Sequence, residues 1–193
     1  MKVTLVNYGI GNILSVQRAL QHVGADVEFA ESAADIQKAE RLVVPGVGAF
    51  KHCMDAIEAR GLREALIRFA HSEKPYLGIC VGMQMLMDKS HEFGEYSGLG
   101  LISGEVRKID IPGERVPFIG WKEIELHGKK STFYFVHSYQ AFPKNPQNLL
   151  ATYSLGGEKV TAAVQKDNIV GVQFHPEKSA EDGLNLIRYF LSI

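Results

Sequence analysis

Short β-branched apolar runs alternate with longer amphipathic stretches through the first half of the chain, the pattern of βα units around a parallel sheet. Val3-Thr4-Leu5-Val6 reads as the first strand, and Leu14, Ala19, Leu20 and Val23 then recur at helical spacing until Gly24 stops the helix. Val27-Glu28-Phe29 and Leu42-Val43-Val44 read as the next strands, with a short amphipathic segment around Ile36 between them. Helical stretches come next at about Met54 to Arg60 and Leu62 to His71. The apolar run Pro75 to Ile79 then ends at Cys80, with a helix-compatible Met83 to Met87 behind it. After Gly94 the period changes. Val106 to Ile109, Phe133 to Val136 and Ala162 to Gln165 are strand-like runs separated by turns, which adds antiparallel strands to the parallel core. Ile169 to Phe174 is a further strand ending at His175, and Gly183 to Leu191 closes as an amphipathic helix.

No repeat, low-complexity tract or linker divides the 193 residues, so one domain is expected over 1–193. With 46% hydrophobic and 22% charged residues the composition is that of a globular chain, which excludes disorder, collagen and a coiled-coil rod. A net charge of -1 gives no bulk attraction for nucleic acid or an anionic membrane. The first apolar run is too short for a signal or a span, so the chain reads as mature from Met1. Cys53 and Cys80 form neither a disulfide framework nor a zinc spacing, and the seven histidines include no HxxxH, so a reducing, cytoplasmic setting without a metal is expected.

Candidate chemistry centres on GICVGMQ, where Cys80 sits between strand and helix with Gly78 and Gly82 two residues to either side. A strand-to-helix turn of this kind holds a side chain exposed at the carboxyl end of a parallel strand. The helix start favours a thiolate, and the Val81 N–H can face a developing oxyanion. Cys53 lacks such a context and reads as a buried structural residue. A nucleophilic thiol needs an oriented base, and GVQFHPEKS offers His175 with Glu177 two residues on. An HxE pair alone is weak evidence; joined to the cysteine turn it makes a Cys-His-Glu triad. VVPGVGAF adds a third glycine-rich strand end, in which Gly46 and Gly48 allow N–H groups to point at an anion. GIGNIL begins like a dinucleotide fingerprint, but Leu14 replaces its third glycine, which argues against a Rossmann cofactor site.

Together PGVG, GICVGMQ and QFHPEKS make the sequence resemble the class I, or triad, glutamine amidotransferases. Within that family it is most similar to the glutaminase subunits of imidazole glycerol phosphate synthase, through YGIGNILSV, GLGLISGEV, YFVHSY and TAAVQKDNIVGVQFHPEKS as well. The resemblance implies a flavodoxin-like α/β fold, its central sheet mostly parallel, with helices on both faces and added antiparallel strands. It implies hydrolysis of L-glutamine without a cofactor, the ammonia passing to a (β/α)₈ barrel cyclase subunit in a heterodimer, with neither nucleic acid nor membrane as partner. By the same resemblance Cys80 is the nucleophile, His175 the base and acid, and Glu177 the orienting carboxylate. Gly48 and Val81 match the oxyanion hole. Gln84, Glu92, His137, Ser138 and Tyr139 match substrate-binding positions, while Asn12, Trp121, Tyr134 and Lys178 match the partner interface or ammonia gate.

One segment departs from the family. PFIGWK, from Pro117 to Lys122, stands where the usual segment reads roughly PHMGWN, and the stretch from Trp121 to Tyr134 is shorter than usual. Both changes are expected on the synthase-facing side, which leaves open a paralogue that supplies ammonia for surface polysaccharide synthesis. A non-catalytic scaffold and a cysteine peptidase are the readings from other classes. The complete triad argues against the first, and Gln84 with FHPEKS against the second.

Overall fold

Each β-branched run of the N-terminal half forms a strand in the computed structural model, which describes residues 1–193. The chain runs β1 (Lys2–Val6), α1 (Ile13–His22), β2 (Asp26–Ala30), α2 (Ala33–Lys38) and β3 (Leu42–Gly46), then α3 (Phe50–Ala59), α4 (Arg63–Ala70), β4 (Tyr76–Cys80) and α5 (Val81–Gln84). Strands dominate the next stretch, with β5 (Lys89–Ser90), β6 (Tyr96–Ser97), β7 (Gly104–Lys108), β8 (Phe118–Leu126), β9 (Lys129–His137) and β10 (Tyr139–Pro143). The C-terminal part comprises β11 (Leu149–Leu155), β12 (Glu158–Lys166), β13 (Ile169–Val172) and α6 (Ala180–Ser192). Local chemistry fixes the helix ends. Ser32 and Asp35 form a reciprocal capping box on α2, and Gly24, at φ +87°, turns the chain after α1.

The central sheet has seven strands in the order β11-β12-β13-β4-β3-β1-β2. Its middle is parallel, while β12 and β11 extend it antiparallel from β13. From β1 the chain steps one way to β2 and then back past β1 to β3, and right-handed crossovers therefore place α1 and α2 on opposite faces. Accordingly α1 packs with α6, and α2 with α4. Strands β3 and β4 are buried along their whole length, as strands covered on both faces must be. A four-stranded sheet, β10-β7-β5-β6, meets β12 and α5 through β10, and the antiparallel hairpin β8-β9 packs on β11 and α6.

Two expectations need correction. The strand carrying His175 ends at Val172, and Gln173 to His175 continue as irregular chain into a 3₁₀ turn at Pro176–Lys178. The helix after Cys80 is a single turn rather than one reaching Met87, because the carbonyls of Met85, Leu86 and Met87 accept from the N–H groups of Leu99 to Ile102. Met83, Met85, Leu86 and Met87 are apolar because all four are buried, not because they form one face of a helix.

Candidate active site

Cys80 ends β4 opposite Gly46 at the end of β3, at the carboxyl edge of the parallel strands. Its backbone is held at φ 55° and ψ -112°, a region costing a non-glycine residue about 1–3 kcal/mol. Three glycines make this turn possible by close approach. A Cβ on Gly82 would lie 2.0 Å from the Val44 carbonyl oxygen, one on Gly78 2.6 Å from the Gly82 oxygen, and one on Gly46 2.8 Å from the Gly82 nitrogen. The backbones of β3, β4 and α5 therefore touch directly at the base of the thiol. A one-turn helix carries little macrodipole, so the main charge partner for the sulfur is an imidazole rather than the helix end.

That imidazole belongs to His175. Its Nδ1 lies 2.8 Å from Glu177 Oε1, and the two side chains are only 3% and 1% exposed. The second carboxylate oxygen of Glu177 is buried without a partner, which leaves His175 as the sole recipient of the charge. Burial pushes the His175 pKa down, but the contacts with Cys80 and Glu177 outweigh it and bring it up to about 9. At neutral pH the ring is an imidazolium beside a sulfur, able to protonate a leaving group. Ser179 fixes the turn: its hydroxyl donates to the His175 carbonyl (2.6 Å) and accepts from the Tyr134 N–H (3.0 Å).

Cys80 and His175 open into a cavity of about 350 Å³ that is also lined by Gly48, Val81, Gln84, Glu92, His137, Ser138 and Tyr139. All seven residues expected for the oxyanion hole and the substrate are thus brought together around the thiol. Gly48, at φ +85°, has open space about it, and its N–H meets no protein acceptor. Gly46 behaves differently from expectation, because it is locked inside β3 beneath Gly82 and the Tyr8 hydroxyl. Glu92 accepts from the Phe50 N–H through Oε2 and leaves Oε1 free. Gln84 spends its amide N–H₂ on the Tyr139 carbonyl and Gln173 Oε1, so it offers the cavity an acceptor suited to an ammonium. His137 is closed off on both nitrogens, by the Tyr139 carbonyl at 2.7 Å and the Tyr153 hydroxyl at 2.9 Å, and burial lowers its pKa to about 4. It is therefore neutral and shapes the wall.

A family model described as glutamine amidotransferase class-I matches residues 4–192. The chain belongs to this family. Over 99% of its own length it is 42% identical to the imidazole glycerol phosphate synthase subunit HisH 1 of Legionella pneumophila (strain Lens), of which it covers 99%, and 41% identical to subunit HisH of Wolinella succinogenes, with the same coverage of both chains. It is also 42% identical to the chloroplastic imidazole glycerol phosphate synthase hisHF of Arabidopsis thaliana, matching 98% of this chain but 34% of that longer one. Among solved structures, one described as a glutamine amidotransferase superposes with a TM-score of 0.80 at 20% identity over 98% of this chain and 97% of the other, which bears out the fold.

In this amidotransferase the remaining expected residues lie outside the cavity. On the β8-β9 hairpin, Trp121 and Tyr134 face each other across the strands, ring centroids 5.6 Å apart, and Trp121 is 52% exposed. Asn12 precedes α1 and accepts from the Ser15 hydroxyl, while Lys178 is exposed at the end of the His175 turn, against which α1 packs. The departure at PFIGWK is not where the sequence placed it. Side chains alternate along β8, so Ile119 and Trp121 point outward while Phe118 and Lys122 point inward, over Tyr153. These two substitutions therefore do not alter the Trp121 surface.

Tyr8, Gln173 and Ser179 are site residues that sequence reasoning missed. The Tyr8 hydroxyl donates to the Pro45 carbonyl (2.6 Å), anchoring the end of β3, and the Gln173 amide lies 3.7 Å from Cys80 Sγ. Gln173 and Ser179 both stand inside QFHPEKS, so the signal was present but was spent on His175 and Glu177 alone. Burial raises the Cys53 thiol to about 11, in keeping with a structural cysteine. No group of three or more His, Cys, Asp or Glu side chains could hold a metal, and no helix is long and apolar enough to cross a membrane.

Proposed function

We propose that this chain is the glutaminase subunit of imidazole glycerol phosphate synthase, a single domain over 1–193 that works in the cytoplasm as a heterodimer with a (β/α)₈ barrel cyclase in histidine biosynthesis. The observation that carries the chemistry is the meeting of Cys80 with the buried His175–Glu177 pair on one small cavity. Its volume lies at the lower end for ligand pockets and suits an amino acid. The substrate ammonium would meet Glu92 Oε1 and Gln84 Oε1, with the Ser138 hydroxyl available to the carboxylate. Sulfur attacks the carboxamide carbon, and the oxyanion is received by the N–H groups of Gly48 and Val81. Imidazolium His175 gives its proton to the departing nitrogen, releasing ammonia and leaving a glutamyl thioester. Water then attacks as neutral His175 takes its proton, and collapse of the intermediate expels the Cys80 thiolate, which releases glutamate and restores the thiolate–imidazolium pair.

Full-length identity near 40% with proteins named as subunits of the synthase supports the pathway. The longer Arabidopsis relative supports a second functional unit working beside this one. The alternative polysaccharide role rested on the PFIGWK segment and on the shortened stretch from Trp121 to Tyr134, and the first loses its force with Phe118 and Lys122 turned inward. The test is glutamate formation from glutamine by the purified chain, alone and with the barrel subunit. Slow turnover alone, stimulation in the complex and loss in Cys80→Ser are expected. A complex without hydrolysis, or a Cys80→Ser protein retaining half the rate, refutes the reading.

A further inference from the structure

The inward face of β8 carries a cation with no anion. Lys122 enters none of the protein's ion pairs, and its ammonium instead sits 5.2 Å from the centroid of the Phe118 ring and 5.8 Å from that of Tyr153. The two rings lie 5.4 Å apart, so the charge rests on an aromatic platform. A cation over a phenol draws electron density from its oxygen and makes the hydroxyl a better donor. The Tyr153 hydroxyl is 2.9 Å from His137 Nε2.

The direction of that hydrogen bond is set by its far end. His137 Nδ1 faces the Tyr139 carbonyl at 2.7 Å, and a carbonyl only accepts, so Nδ1 carries the proton. Nε2 of the neutral ring is then an acceptor, and Tyr153 must donate. The Tyr139 carbonyl also receives the amide of Gln84, and His137, Tyr139 and Gln84 all line the cavity. One polarised line therefore runs from Lys122 through Tyr153 and His137 to the wall on which the substrate would lie. We propose that Lys122 is a positioning residue for glutamine, holding the His137–Tyr139–Gln84 wall in register through the Tyr153 hydroxyl. Its partners Phe118 and Tyr153 lie on β8 and β11.

The inference rests on the glutaminase reading, and its test separates the two. The purified full-length chain is inactivated with a diazoketone analogue of glutamine, which must occupy the pocket, and with iodoacetamide, which need only reach Cys80. Lys122→Met should raise the half-saturating concentration of the analogue roughly threefold to tenfold, the range for loss of one cation–π contact. The limiting rate, the iodoacetamide rate and the melting temperature should stay unchanged. Lys122→Arg should restore saturation, because a guanidinium also binds an aromatic face. Tyr153→Phe should reproduce the defect, and the double variant Lys122→Met/Tyr153→Phe should be no worse than Tyr153→Phe alone. Unchanged saturation in Lys122→Met, a loss of melting temperature and limiting rate in its place, or additive effects in the double variant would overturn the role of Lys122. A wild-type chain whose inactivation by the analogue neither saturates nor is slowed by glutamine would overturn the glutaminase reading itself.

Discussion

A single methyl group at Gly82 tests how the thiol is presented. In Gly82→Ala the new carbon would lie 2.0 Å from the Val44 oxygen and 3.1 Å from the Val44 carbonyl carbon, more than an ångström inside ordinary contact with the first. Neither atom belongs to a side chain that can turn away, for Val44 is in the middle of β3 and pairs with Gly78 of β4. Overpacking against yielding neighbours costs about 1–3 kcal/mol, and a strand backbone in the sheet centre puts this case at about 3 kcal/mol or above. That is a large part of the roughly 5–15 kcal/mol by which domains are stable. Relief would require α5 to move outward, carrying the Val81 N–H and the Cys80 backbone with it. A displacement of about 1 Å there would lower turnover on the order of a hundredfold. Urea unfolding measures the first quantity, and glutamine hydrolysis in the complex the second. Gly24→Ala is the control: unlike Gly82 it sits at positive φ, and it has nothing within 4 Å, so it should lose about 1 kcal/mol to backbone strain and no activity. A Gly82→Ala protein with wild-type stability and turnover would refute the close-packed account of the turn.

Hydrolysis should lose its acid as pH rises through about 9, the His175 pKa, since the group is protonated below that value and neutral above it. Glu177→Gln removes one of the contacts that raise this pKa, so the alkaline limb of the rate profile should move to lower pH; a limb that stays in place counts against the pair. Trp121→Ala should weaken binding of the barrel subunit by about 2 kcal/mol, roughly thirtyfold, as calorimetry would show, while iodoacetamide reacts with Cys80 of the free variant as with the wild type. Undiminished binding would remove Trp121 as an anchor.

The parallel half of the fold was legible because its strands are short and, apart from the edge strand β2, buried apolar runs, a pattern with few other uses. The strand ends at Gly46 and Cys80 were legible for a related reason, since glycine stands where the apolar runs stop, whereas the strand before His175 ends at Val172, before the apolar run does. What was lost is equally physical. No strand was read at β8, where Pro117 and Gly120 interrupt the apolar run, although Phe118 to Leu126 alternate between inward and outward positions as a strand should. The run after Cys80 reads locally as a helix; that its carbonyls instead find partners in residues 99 to 102 is a long-range fact that no local window contains. The directions of Phe118 and Lys122 depended on the register of β8 against β9, and so did every inference drawn from them.

The order of the strands also sets a schedule for catalysis during synthesis. β13 lies between β4 and β12, yet it is made after both, and His175 comes 95 residues after Cys80. A nascent polypeptide that has reached only β12 carries the thiol on a sheet whose centre is unfilled, with one edge of β4 unpaired and neither imidazole nor carboxylate to serve it. Insertion of β13 closes that gap and delivers the acid in the same event. Any chain shorter than 177 residues lacks the His175–Glu177 pair and is therefore without its acid, so the order of the sequence withholds hydrolytic competence until nearly the whole chain has been made.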